Sequence, residues 1–153
     1  MQIRKAALGS AAFLVLAPGV VAGVIPWLLT RWRMEPFWLP FRILGVAVLV
    51  FAFARFVSEG FGTPAPVAPP DRLVVGGLYR YVRNPMYLAV LSLILGQALL
   101  FGQWILLPYA VVVSLAFAAM VHFHEEPVLR REFGAQYESY RAAVPGWWPR
   151  LHP

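Results

Sequence analysis

Residues 86–126 read MYLAVLSLILGQALLFGQWILLPYAVVVSLAFAAMVHFHEE, and this stretch decides the fold. It holds two uncharged apolar runs, 86–101 and 104–123, separated only by Gly102 and Gln103. Runs of this length and apolarity suit helices in a bilayer, whose hydrocarbon core takes about 20 residues to cross. A two-residue link predicts a tight helical hairpin. Two crossings return the chain to the side it left, so the segment before Met86 and the segment after Phe123 are expected on one membrane face.

The rest of the 153 residues agrees with lipid as the solvent. Apolar residues make up 60%, charged residues 13%, and the mean hydropathy is +0.66, a balance that leaves too little polar material to cover a soluble domain. The absence of cysteine excludes disulfides, thiolate metal sites and catalytic thiols. The net charge of +6 reads as membrane topology and headgroup contact, and no basic run interleaved with aromatics points to nucleic acid. Working outward, residues 6–29 supply a first span with Pro18 and Pro26 as kinks. Residues 37–57 supply a second, interrupted by Arg42 and Arg55 near its ends, where they can snorkel to the headgroups.

Between the second and third spans, residues 58–85 carry Gly60, Gly62, Pro64, Pro66, Pro69 and Pro70, which forbid regular helix. The expectation is an aqueous loop, partly polyproline II. At the other end of the hairpin, Pro127 disfavours helix at Glu126 and suits the first turn of a new one, so the fourth span should stop near the glutamates. Over 127–142, Leu129, Phe133, Tyr137 and Tyr140 recur opposite Arg130, Arg131, Glu138 and Arg141, the pattern of an amphipathic interfacial helix. Pro145 and Gly146 end it, and Trp147 and Trp148 beside Arg150 read as an interfacial anchor. The fold expected is therefore a single all-α integral-membrane domain over 1–153, with about four transmembrane helices and a C-terminal interfacial helix. Arginine and lysine are more numerous on the side of the N-terminus, the 58–85 loop and the C-terminal segment, which is expected to be cytoplasmic, at a bacterial inner membrane.

Two polar clusters meet on that face. Residues 77–87 gather Tyr79, Tyr81 and Tyr87 with Arg80, Arg83 and Asn84 at the mouth of the third span, a mixture suited to an anionic, aromatic ligand or to a headgroup belt. Residues 122–126 are His122, Phe123, His124, Glu125 and Glu126. Adjacent carboxylates at a membrane boundary need water, a cation or a buried partner. They fit an ion pair with Arg130 or Arg131, a metal site using His122 and Glu126, or a seat for a cationic ligand group; the metal alternative lacks a second ligand set.

The string through Tyr79, Arg80, Arg83, Asn84, Pro85 and Tyr87, followed after the hairpin by Glu125, Glu126, Leu129, Phe133, Gly134, Tyr137, Tyr140 and Pro145, resembles the isoprenylcysteine carboxyl methyltransferase family and its phospholipid methyltransferase relatives. The resemblance covers about residues 60–150. It implies an S-adenosylmethionine-dependent methyltransferase, with S-adenosylhomocysteine as product, acting on a lipophilic or small acceptor such as a carboxylate, an amine or a thiol. Asn84 stands where the carboxyl methyltransferases usually have histidine and is more like the phospholipid N-methyltransferases. Those also resemble this chain in a Gly, x, Gly cofactor element, for which Gly60 and Gly62 are the candidates.

The cofactor carries a carboxylate, an ammonium, a sulfonium and an adenine. The resemblance implies Glu125 or Glu126 on the ammonium or a ribose hydroxyl, and Arg83 and Asn84 near the carboxylate. It places Tyr87 with Tyr79 or Tyr81 against adenine and sulfonium, beside Pro85. Arg131 is expected to orient an acceptor carboxylate or phosphate, or to be a lipid-facing charge; Glu125 is a candidate base for an amine acceptor. The expected partners are membrane lipids and the acceptor. A nicotinamide-dependent membrane reductase of sterol-reductase type and a non-catalytic lipid-binding scaffold are the competing classes.

Overall fold

The computed structural model describes residues 16–60, 73 and 75–152. Among them every regular element is helical: α1 (Leu16–Thr30), α2 (Leu39–Gly60), α3 (Pro85–Phe101), α4 (Leu106–Phe133) and α5 (Ala135–Ala143), with one 3-10 turn at Gly77–Arg80. Among the described helices α4 is the one long and apolar enough to cross a membrane. Only 22% of its apolar window is buried, so its surface is not spent on a protein core. α1 and α3 are apolar but shorter. Of the four crossings expected, α4 alone among the described helices has the length and apolarity of a span, and residues 6–15 of the first lie outside the described part. Exposed Phe41, Ile43, Leu44, Val50, Phe51 and Phe53 on α2 and exposed Val111, Val112 and Leu115 on α4 present more apolar surface than a water-facing protein leaves uncovered.

Helices α2 and α3 run antiparallel in backbone contact. A Cβ on Gly45 would lie 2.6 Å from the Leu100 nitrogen and 2.8 Å from the Gly96 oxygen, and one on Gly96 would lie 2.8 Å from Leu49 Cγ. The core joins α1, α3 and α4 through Ala22, Val90, Ile94, Ala98, Leu106, Ala110 and Val113. The hairpin forms as expected. Gly102, at φ +65, takes the left-handed position that ends α3 at almost no steric penalty. The last carbonyls of a helix lack partners in the helix itself, and here the 31–42 segment supplies them. Glu35 N–H donates to the Phe101 oxygen (2.9 Å) and Arg42 Nη1 to the Leu100 oxygen (2.6 Å). Arg42 therefore caps α3 instead of snorkelling.

Two prolines are accommodated inside helices rather than at their ends. Proline lacks an N–H and its ring crowds the carbonyl four residues back. In α1 a π segment, Val20–Val24, precedes Pro26; in α4 another, Val121–Glu125, precedes Pro127. In each, a five-residue-back bond closes the widened turn one residue before the proline, Ile25 N–H to the Val20 oxygen and Glu126 N–H to the Val121 oxygen. Carbonyls that this leaves open in α1 are taken from outside: Gln97 Nε2 donates to the Ala22 oxygen (2.6 Å) and the Tyr109 hydroxyl to the Val21 oxygen.

This corrects the expected stop near the glutamates. Glu126 is helical at φ −61, ψ −44, and α4 runs on to Phe133. The break comes at Gly134, whose φ 50, ψ −122 suits glycine alone. The single helix expected over 127–142 is thus the end of α4 plus α5. Similarly, α2 extends to Gly60, so residues 58–60 of the expected loop are helical; the polyproline expectation for 64–70 lies outside the described residues.

Replacing Gly45 by leucine forces α2 away from α3. Overpacking of this kind costs about 1–3 kcal/mol or more. The variant should unfold at lower temperature than the parent in the same detergent, as followed by circular dichroism.

Candidate functional site

Pro85 opens α3, where its missing N–H is no loss. Asn84 sits at the N-cap position but does not cap with its side chain. Instead its Nδ2 donates to the Gly146 oxygen at 3.0 Å. Arg83 N–H donates to the Pro145 oxygen (2.9 Å) and its Nε to the Val144 oxygen (2.9 Å). The C-terminal segment is thereby strapped across the loop that precedes α3. Arg150 holds the strap's far end, N–H to the Tyr81 oxygen (3.0 Å) and Nε to the Arg80 oxygen (2.7 Å). The Tyr140 hydroxyl donates to the Tyr79 oxygen at 2.7 Å.

The two polar clusters meet beneath this strap. Arg83 Nη1 lies 2.7 Å from Glu126 Oε1, with side chains only 16% and 10% exposed, and it also donates to the Tyr137 hydroxyl at 3.2 Å. Beside it the Tyr87 hydroxyl donates to Glu125 Oε1. The pairing is antiparallel: residues 83 and 87 are one turn apart on the way into α3, and the adjacent glutamates of α4 face them in reverse order. Tyr87 packs on Phe117 with ring centres 4.5 Å apart, within 3.9 Å of Met120 Sδ, and Trp147 stands 6.4 Å away.

Burial is the main cause that pushes the Tyr137 phenol above its ordinary value, with the charge of Glu126 adding and Arg83 opposing. The Tyr140 phenol is likewise raised, first by burial and then by Tyr79. Both tyrosines therefore act as neutral hydrogen-bonding groups over the physiological range.

The expected residues divide accordingly. Arg83, Asn84, Pro85, Tyr87, Glu125 and Glu126 are brought together. Tyr79 and Tyr81 adjoin them through backbone carbonyls held by Tyr140 of α5 and by Arg150 of the strap. Arg131 is not brought in: it is exposed, and its Nε rests on the Pro127 oxygen of its own helix at 3.3 Å. Gly60 ends α2, and Gly62 lies outside the described residues.

The ion pair considered for the glutamates with Arg130 or Arg131 is replaced by Arg83, because Glu126 points into the bundle and the two arginines point out. Arg130 Nε instead meets Glu138 Oε1 at 2.8 Å across Gly134. Arg141 joins this surface to the interior, with contacts of 3.8 Å to both Glu126 and Glu138. Helical periodicity puts Arg141 on the solvent face and Tyr137 on the apolar one, with no sign that both approach Glu126. Nor does it show that the 144–147 backbone completes the site. The Pro145, Gly146 pair was the available signal: a Cβ on Gly146 would lie 2.9 Å from Arg83 Nη2.

The phospholipid methyltransferase family matches residues 42–136, from within α2 to the second residue of α5. A protein-S-isoprenylcysteine O-methyltransferase of Schizosaccharomyces pombe (strain 972 / ATCC 24843) is 35% identical over 79 residues, 52% of this chain. The match spans only 34% of that relative's length. No solved structure matches the chain significantly.

Removing one member of a buried ion pair leaves the other charge uncompensated, at about 3–5 kcal/mol. Arg83→Met should therefore destabilise strongly in detergent unfolding experiments, and adding Glu126→Leu should restore much of the loss. Equal or greater loss in the double variant would show that the pair is not the source.

Proposed function

Since the chain belongs to the phospholipid methyltransferase family, we propose that it is an integral-membrane S-adenosylmethionine-dependent methyltransferase whose cofactor sits where the α3 entrance meets the paired glutamates of α4. The observation that carries this reading is the double contact Arg83 to Glu126 and Tyr87 to Glu125. It gathers a cation, two acids and an electron-rich ring at one point, a donor set that fits a ligand bearing carboxylate, ammonium and sulfonium. When bound, that ligand supplies an activated methyl group on a positively charged sulfur, which keeps the electron pair of the broken bond and becomes a neutral thioether.

The protein's own residues align and exclude water, since no protein nucleophile is needed. Glu126, buried and paired, fixes the Arg83 guanidinium, leaving Arg83 Nη2 beside Gly146 for the carboxylate end. Glu125, oriented by Tyr87, offers Oε2 to an ammonium or a ribose hydroxyl. Asn84 secures the strap over these side chains. An amine acceptor would give up its proton, and Glu125 is the group placed to receive it. The exposed apolar faces of α2 and α4 let a lipophilic acceptor arrive laterally, while the cofactor enters from water beneath the strap. The excess of arginine and lysine on this side supports a cytoplasmic position for the face. With Arg131 turned outward, its part is contact with a lipid or acceptor headgroup.

Isothermal titration of S-adenosylhomocysteine and of NADPH into the purified protein tests the reading. The thioether is expected to bind, NADPH is not, and Glu125→Gln and Asn84→Ala are each expected to weaken the thioether about tenfold or more while leaving monodisperse protein. Binding of NADPH alone would identify a reductase. Unchanged thioether binding in both variants would move the site elsewhere.

A further inference from the structure

Trp147 and its neighbour Trp148 behave differently, although sequence reading paired them as one anchor. Trp148 is 83% exposed, whereas Trp147 is half-buried and turned toward Tyr87, ring centres 6.4 Å apart and planes inclined at 36°. The backbone fixes it there from both sides, through the Gly146 oxygen on Asn84 Nδ2 (3.0 Å) and through Arg150 N–H on the Tyr81 oxygen (3.0 Å). Tyr87 is equally fixed, by Phe117 against its ring and Glu125 on its hydroxyl. Donating that hydroxyl to a carboxylate enriches the ring in electron density. With ring centres 6.4 Å apart, a cation between the two would lie within about 6 Å of both, the range over which an aromatic face attracts it.

We propose that Trp147 and Tyr87 form the two walls of a charge-reading slot that holds the sulfonium and loosens its grip once the sulfur is neutral. This rests on the cofactor assignment made above, and it adds a residue outside the 42–136 family match as the determinant of preference for charged over neutral ligand. The apolar alternative, in which Trp147 merely covers the pocket, makes no distinction between the two charge states.

The test titrates S-adenosylmethionine and S-adenosylhomocysteine separately into the full-length protein, its Trp147→Leu variant and its Trp147→Phe variant. Trp147→Leu is expected to weaken the sulfonium ligand roughly threefold to thirtyfold while changing the thioether less than about twofold, and Trp147→Phe is expected to keep most of the difference. Equal weakening of both ligands by Trp147→Leu, or no change in either, would overturn the slot while leaving the cofactor assignment standing. If the unmodified protein bound neither ligand, the cofactor assignment would fall and the slot with it. Should the leucine variant not fold, Trp147→Met, which keeps apolar bulk without an aromatic face, is read in its place: selective loss of the sulfonium ligand with thioether affinity intact supports the slot, and an equal change in both ligands, or none, overturns it.

Discussion

A buried arginine can be tolerated only if its charge is matched and its donors are used, and Arg83 satisfies both conditions with groups from three separate parts of the chain. Glu126 comes from α4, Tyr137 from α5, and the Val144 and Pro145 carbonyls from the strap. Burying such a pair is expensive unless the surrounding hydrogen bonds are also made. That condition forces α4, α5 and the strap to converge on the loop ahead of α3. The rest of the site follows, because a helix that directs Glu126 at Arg83 brings Glu125 to Tyr87 in the adjoining position.

The convergence depends on how α4 treats its proline. A helix ending at Glu126 would have left the second acid on a frayed turn. The widened turn at Val121–Glu125 keeps the backbone helical through both acids and shifts their facing relative to the apolar part of the span. The same solution in α1 points to a shared requirement: continuous helix through a proline where lipid offers no water to open carbonyls. The open carbonyls of α1 are met by Gln97 of α3 and Tyr109 of α4, whose polar groups would otherwise be out of place in an apolar bundle.

Much of this was legible in the sequence, and the reasons for what was missed are specific. The Gly102, Gln103 link and the lengths of its flanking runs dictated a hairpin, and the hairpin alone put Arg83, Asn84 and Tyr87 on the side of Glu125 and Glu126. Periodicity gave Tyr137 to the apolar face of an interfacial helix, whereas the structure buries it within the protein against Arg83. Pro127 misled because its local rule assumes four-residue-back bonding, and the π turn escapes that rule. Arg131 and Arg141 lie ten residues apart with similar polar surroundings, and only the change of direction at Gly134 decides that Arg141, not Arg131, swings back over Glu126. The strap was invisible because its bonds are made by backbone carbonyls, which every residue has.

The clasp on α1 also constrains how this bundle can vary. Gln97 is 7% exposed and bridges two partners, the Ala22 carbonyl and the Trp32 indole N–H, which donates to Gln97 Oε1 at 3.0 Å. Sliding α1 by one residue or rotating it by a quarter turn would break that bridge and carry the Val21 carbonyl away from Tyr109. The first helix is thus keyed, like a spline in its slot, and a greasy segment of equal length without the proline-induced gap in its ladder would present no keyway for Gln97 to enter.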